Sequence, residues 1–459
     1  MVPSQNLEKA VKLPLSLVGD GVLVPCIDGI ERPYASLDAA ASTGALPSVM
    51  ESVQNFLPLY SSIHRGAGYK SQIATTEYEN AREAALRFAG REGRDDVAIF
   101  CRNTTEAINL LVHRLRLNVD DVIATTVVEH HANMLPWSRA ASCRYVECGV
   151  DGTFTVGDVE ATLDAFPTPR LLSITGASNI TGWMPPIEEI IEAAHLRGIQ
   201  VVVDGAQLAP HRPLPRTADF VAWSGHKMYA PFGAGLLIGP RAVFIEGDPF
   251  LAGGGAVDLV DLDEVVWTEP PEREEAGSPN VVGAVALHAA IDALAELGWP
   301  AIIEHDRNMS QALRGGLASI PGVRLLGPNL DTDTLPVAAF TVDEVPYGLV
   351  AARLSAEFGI GVRHGCFCAH PYLKRLLGLT KEDIATFRAS IRDGNRLHIP
   401  GAVRASCGVS TTLEDIERLL VAVARIAEGG EPPYSYLQDS VSGDFTAGPA
   451  SEWWNGPHL

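Results

Sequence analysis

Short apolar runs and helical spacings alternate through the first two thirds of the chain. Val97–Phe100, Val122–Thr126, Leu171–Thr175 and Ile199–Val203 are β-branched and closed by polar or glycine residues, the pattern of strands. Between them Thr76–Phe88, Thr105–Leu117 and Pro186–Leu196 carry apolar residues at helical spacing. This order predicts an α/β fold with a mostly parallel sheet covered by helices on both faces. Polar ligands of such sheets sit at the carboxyl ends of the strands, so the loops there are where chemistry is sought.

Beyond about Val281 the pattern becomes mainly helical, through Ala284–Leu297 and Ile302–Leu317. Two strands near Val337–Thr341 and Gly359–Arg363 and a closing helix at Thr412–Ala427 predict a smaller α+β domain. The expected organisation is an N-terminal segment (1–35) packing on the small domain, a large domain (36–295) and the small domain (296–428). The charged, helically spaced stretch 371–403 reads as an inserted surface element. The tail 429–459, rich in Gly, Pro and Ser, should be loosely ordered, with Trp453 and Trp454 as a packing latch.

Composition narrows the function classes. The 459 residues allow two or three domains and a large core. Against 56 Asp and Glu stand 35 Lys and Arg, giving a net charge of −21 and arguing against nucleic acid as a partner. The longest charge-free apolar stretch, Leu171–Ile187, is short of a membrane span and broken by Gly, Asn and Pro. The N-terminus lacks the pattern of a signal peptide, so a cytoplasmic location is expected. Seven cysteines spread over such a length suit a reducing compartment, where each is buried, reactive or metal-bound.

The strongest local signal is Ser224-Gly225-His226-Lys227, between the apolar run Phe220–Trp223 and a Gly-rich strand entry. A lysine at a strand end can lose its ammonium hydration and act as an amine nucleophile. Asp204 directly follows the apolar Val201–Val203, where a carboxylate is costly unless it meets a cation. Pyridoxal phosphate (PLP) enzymes use such a pair: a lysine on the aldehyde and an acid on the pyridinium nitrogen. Taken singly, a solvated loop lysine and a helix-capping aspartate are the commoner readings. Three further strand ends carry polar clusters: Asn103–Leu110, with free helix N–H groups and two hydroxyls for a phosphate, Glu129–Trp137, and Ser178–Gly182.

These segments, with LDAAAST (37–43), IHRGAGY (63–69), EAGSPN (275–280), RHGCFCAHP (363–371) and RAS (404–406), fall in one order over residues 30 to 425. The chain resembles the class V aminotransferase superfamily of PLP-dependent enzymes, most closely the Suf-type (group II) cysteine desulfurases and selenocysteine lyases. The resemblance implies a fold-type I enzyme, a homodimer, an amino-acid substrate and a sulfur-acceptor protein. Carried onto this sequence, Lys227 anchors PLP covalently and moves the Cα proton, Asp204 meets the pyridinium nitrogen and Gln207 the ring oxygen. His130 stacks on the ring; Thr104, Thr105, Ser224 and His226 bind the phosphate, joined by Ser278 from a second subunit. Asn179 and Arg404 take the substrate carboxylate, with Arg363, His64 and Ala40 close by.

In the resembled desulfurases the sulfur-accepting cysteine stands three residues after a glycine and three before a proline; here that is Cys368. Arg363, His364 and His370 could lower its pKa. The alternation of His364, Cys366, Cys368 and His370 does not suit structural zinc, whose paired cysteines are usually separated by two or more residues. Three departures keep other reactions open. Ala39 replaces a polar residue, the segment between Pro371 and Arg404 is about twenty residues longer than in short-loop desulfurases, and RASCGVSTT lacks a Tyr-Asn step. The alternatives are a class V aminotransferase, a C–S β-lyase or an epimerase acting on a larger amino acid or sulfur conjugate, and a binding scaffold without turnover.

Overall fold

The computed structural model describes residues 13–429 and 432–448. Its centre is a seven-stranded sheet: β1 (Asp96–Cys101), β2 (Val122–Thr126), β3 (Ser142–Val146), β4 (Leu171–Thr175), β5 (Gln200–Asp204), β6 (Phe220–Ser224) and β7 (Gly235–Pro240). They lie in the order β1-β7-β6-β5-β4-β2-β3. All neighbours are parallel except β7, which runs antiparallel to both β1 and β6.

The apolar runs are continuous because both faces are covered. In β5, Val201 and Val203 join one core while Val202 joins another across the sheet; in β6, Val221 and Trp223 oppose Phe220 and Ala222 in the same way. The edge strand β3, half-exposed along most of its length, lacks that signature and escapes the sequence pattern.

The small domain is a four-stranded antiparallel sheet of Val323–Leu326, Val337–Val342, Ala402–Ser406 and Arg363–Gly365, in that spatial order. Helix Leu413–Ala427 closes it. Thr412 and Asp415 form a capping box at its start, and Ile416, Leu419, Val423 and Ile426 supply the buried stripe. Gly298, at φ 73°, separates the helix Val281–Leu297 of the large domain from Trp299–Ala318 of the small one. The N-terminal segment reaches the small domain through Ile27 N to Ala356 O (2.8 Å) and the parallel pairing of Ala35–Ser36 with Ile360–Gly361.

Three expectations need correction. The strand expected over Gly359–Arg363 divides: Ile360–Gly361 pairs with the N-terminal segment, and a separate strand, Arg363–Gly365, enters the small sheet. The stretch from Pro371 is not all surface, because helix His370–Leu377 buries Tyr372, Leu373 and Leu376. Only the later helix, Lys381–Arg392, is without a buried residue. The tail is not loose between 436 and 447: Tyr436–Gln438 and Phe445–Ala447 form a hairpin that binds Glu357 through the Tyr436 hydroxyl (2.8 Å) and Leu397 O through Gln438 (3.0 Å). Strands of three residues held by such distant partners leave no periodic trace. Trp453 and Trp454 lie outside the described residues.

Candidate active site

The carboxyl ends of β2, β4, β5 and β6 converge on a cleft of about 210 Å³. Of the fifteen residues singled out in the sequence, thirteen line it: Ala40, Thr104, Thr105, His130, Asn179, Asp204, Gln207, Ser224, His226, Lys227, Arg363, Cys368 and Arg404. His64 and Ser278 do not. They share a separate pocket, where His64 Nε2 lies 3.2 Å from Glu79 Oε1.

One end of the cleft is built for a phosphate. Asn103 caps the helix Thr104–Arg114 by accepting from Glu106 N (3.1 Å), which leaves the first turn facing the cleft. Ser224 Oγ accepts from Thr104 N (2.8 Å) and sits 2.7 Å from Thr104 Oγ1, joining the end of β6 to that turn. The approach is so close that a Cβ on Gly235 would stand 2.6 Å from the Asn103 Cα, so no larger residue fits there.

At the other end Asp204 is buried, accepts one backbone N–H from Ala206 (2.9 Å), and has no cation within ion-pair distance among the described residues. Burial raises its pKa. A carboxylate so placed, with only the longer-range pull of Lys227 beside it, suits a cationic group brought from outside the chain. Gln207 is oriented by donating Nε2–H to Ala40 O (2.7 Å). His130 Nδ1 accepts from Ala132 N (3.0 Å), so a neutral ring carries its proton on Nε2. Burial, with Lys227 nearby, lowers its pKa to about 3, which keeps the ring neutral.

Lys227 follows β6 on a single 3₁₀ turn, and no hydrogen bond or ion pair among the described residues holds its amine. Burial lowers its pKa to about 8, with Arg404 and Arg363 pushing the same way and Asp204 and Cys368 opposing. A pKa below the ordinary 10.5 penalises the folded state fully below pH 8, and the penalty fades as pH rises to the unfolded value. Lys227→Met is therefore expected to stabilise the cofactor-free protein by up to ~3 kcal/mol at pH 7. That gain should shrink to nothing between pH 8 and about 10.5; urea unfolding at a series of pH values checks it.

The third wall belongs to Arg404 and the cysteine loop. Arg404, 2% exposed, donates from Nη1 to Asn179 O (2.9 Å) and from Nη2 to Asp38 Oδ1 (2.8 Å), and its Nε has no partner. Arg363 stands 3.9 Å from the other Asp38 oxygen. Asn179 Nδ2 donates to Phe367 O (2.7 Å), so this side chain holds the loop rather than standing free. Phe367 and Cys368 are both left-handed at φ 53°, after Gly365 at φ 104°. Two successive non-glycine residues in that region cost about 1–3 kcal/mol each and persist only when the surroundings hold them. Here His131 N donates to Cys368 O (2.7 Å) and Ala369 N to Cys366 O (3.0 Å).

The result separates two cysteines that the sequence leaves together. Cys368 is exposed and lines the cleft, and no other cysteine does so among the described residues. Cys366 turns away, donates to Pro400 O (3.4 Å), and burial lifts its pKa to about 11.

Two contributors were not assigned from the sequence. Asp38 is paired with Arg404 only through the fold. Glu129 is fully buried behind His130 and accepts from Thr126 Oγ1, Asn133 Nδ2 and Thr175 N (2.8, 2.7 and 2.9 Å). Burial pushes its carboxyl up to about 8 despite these donors. Its place inside the EHHANMLPW segment was the available signal.

Residues 35–419 match the family Aminotransferase class-V. The chain belongs to this family. As one of its PLP-dependent enzymes it shares the fold-type I architecture. It is 36% identical over 370 residues to a probable cysteine desulfurase of Halalkalibacterium halodurans, covering 78% of this chain and 88% of that protein. A cysteine desulfurase of Escherichia coli is 33% identical over 407 residues, 86% of this chain and 93% of its own length. The solved apo structure of the cysteine desulfurase from Thermococcus onnurineus NA1 superposes with a TM-score of 0.77 at 31% identity, over 86% of this chain and 95% of that one.

The cleft suits the family's cofactor on its own terms: a phosphate cradle, a buried acid without an ion pair and an unpartnered amine lie around one space. PLP, when bound, supplies the electron sink that makes the substrate Cα–H acidic. Lys227 would anchor it and Asp204 would keep its ring nitrogen protonated. His130 would cover the ring, and Thr104, Thr105, Ser224 and His226 would hold the phosphate.

Proposed function

We propose that the chain is a cysteine desulfurase, converting L-cysteine to L-alanine with the sulfur left on Cys368. The observation that carries the reading is that Cys368, on a strained loop, shares one cleft with Lys227 and Arg404. Arg404, held by Asp38, offers a fixed fork to the substrate carboxylate and so orients the reacting bonds. Lys227, whose amine loses its charge above about pH 8 rather than 10.5, takes the Cα proton and returns a proton to carbon. The Cys368 thiolate attacks the substrate sulfur. A new S–S bond forms as the substrate C–S bond breaks, its electron pair goes to the substrate carbon, and protonation there gives alanine. Two thiols of an acceptor then remove the sulfur as sulfide and become a disulfide.

The test is product analysis with PLP-loaded protein, L-cysteine and excess dithiothreitol. Alanine and sulfide in equal amounts are expected. Pyruvate and ammonia in place of alanine would mark β-elimination and overturn the reading. Replacing Arg404 by lysine, which cannot pair with a carboxylate in two-pronged fashion, is expected to raise KM for cysteine by about 10- to 100-fold, against a smaller fall in kcat.

A homodimer completes the proposal. His64 and Ser278 share a pocket outside this chain's cleft, beside the hairpin Val257–Trp267, whose Leu259, Val260 and Leu262 are exposed. Arg65 holds that hairpin through Val257 O (2.7 Å). A second copy seated on this face would cover the apolar strands and bring Ser278 to the partner's phosphate. A sulfur-acceptor protein and a cytoplasmic place of action belong to the same reading, supported by seven cysteines that are all unpaired. No single helix among the described residues is long and apolar enough to cross a membrane.

A further inference from the structure

The helix Lys381–Arg392 is amphipathic, yet no residue of its stripe is fully buried: Ile384 and Phe387 are only half-buried. Its apolar stripe, Ile384, Phe387 and Ile391, faces Leu373 and Leu377 of the preceding helix across a cavity of about 290 Å³. Ile391 remains 42% exposed. The closing helix Leu413–Ala427 of the same domain, by contrast, buries five residues of its stripe. A helix ordinarily forms by packing such a stripe, so this cavity is a pocket framed for an apolar body rather than a filled core.

Its rim has one sign of charge. Lys374, Arg388 and Arg392 line it, and no Asp or Glu does. None of these three cations makes an ion pair or a side-chain hydrogen bond among the described residues, unlike the neighbouring Arg375, which is held by Glu147 at 2.7 Å. Residues 370–400 carry six Lys and Arg against three Asp and Glu, in a chain whose net charge is −21. Apolar walls with unpaired cations at the mouth complement a molecule with an apolar body and an anionic head.

We propose that this pocket binds a medium-chain aliphatic carboxylate, with its chain against Ile384, Phe387 and Leu377 and its head between Arg388 and Arg392. The site is distinct from the catalytic cleft. Cys366 and His370, which line the pocket, flank Cys368 in sequence, so an occupant would press on the back of the reactive loop.

Calorimetric titration of the full-length, PLP-loaded chain with octanoate and decanoate tests this. One saturable site is expected. Decanoate should bind about 15-fold tighter, since each buried methylene contributes about fourfold in affinity. Ile384→Trp, which fills the space, should abolish binding, and the double variant Arg388→Glu/Arg392→Glu should weaken it at least tenfold. Both should still turn over cysteine. Equal binding of decanoate by both variants and wild type would overturn the proposal. So would equally tight binding of the neutral decanol, since the cations would then have no role. Binding seen only in a chain ending at Gly448 would also overturn it, because the residues that follow would be the natural occupant.

Discussion

Replacing Cys368 by alanine is expected to cut sulfide release from L-cysteine by at least 10³-fold, about 4 kcal/mol of transition-state stabilisation. In the proposed reaction the Cys368 thiolate receives the sulfur, and no second thiol lines the cleft among the described residues to take its place. Cys366, two residues away, is hydrogen-bonded to Pro400 O and held as a thiol by burial. Cys366→Ala should therefore leave more than half of the activity. Bound PLP, measured by its visible absorption, should be unchanged in both variants, because neither thiol belongs to the phosphate cradle or to the Asp204 end. Full activity in Cys368→Ala would remove the persulfide step and leave a class V reaction of another kind. Mass spectrometry of wild type after cysteine without reductant should show one added sulfur, of 32 Da, on the peptide that contains Cys368.

Lys227→Ala is expected to lower turnover by at least 10³-fold as well, but by a different route, since it removes the group proposed to move the proton. The other basic groups of the cleft are poor replacements: His130 has Nδ1 occupied by Ala132 N, burial lowers the pKa of His130 and His226 to about 3 and about 4, and Arg404 is engaged by Asp38. The distinguishing readout is rescue. A small amine such as methylamine should restore part of the activity to Lys227→Ala and none to Cys368→Ala. The pH dependence of that rescue should follow the pKa of the added amine, whereas the wild type follows the cleft. Persistence of wild-type turnover in Lys227→Ala would contradict the assignment.

Much of this site was legible because its parts are local. Lys227, Asp204 and the Asn103–Thr105 turn each stand at the end of an apolar strand or within three residues of it, and a strand end can be read from a few residues. Other parts had no local trace. Asp38 and Arg404 are separated by 366 positions, and only the pairing of the N-terminal segment with the small sheet brings them to 2.8 Å. His64 was expected beside the substrate. Within this chain it lines a separate pocket instead, where Thr75 Oγ1 accepts from His64 N at 2.8 Å and Glu79 meets its ring. The tail hairpin was unreadable because three-residue strands with polar partners show neither alternation nor an apolar run.

The sequence by itself determined the alternation of the buried strands and helices of the large domain and the residue types at their ends, because periodicity acts over a few neighbouring positions. Tertiary structure alone decided which cysteine faces the cleft and what restrains Arg404. It also decided that Lys227 loses its ammonium hydration and that the helix Lys381–Arg392 leaves its apolar stripe only partly covered. These are questions of burial, and what buries a group comes from residues tens or hundreds of positions away.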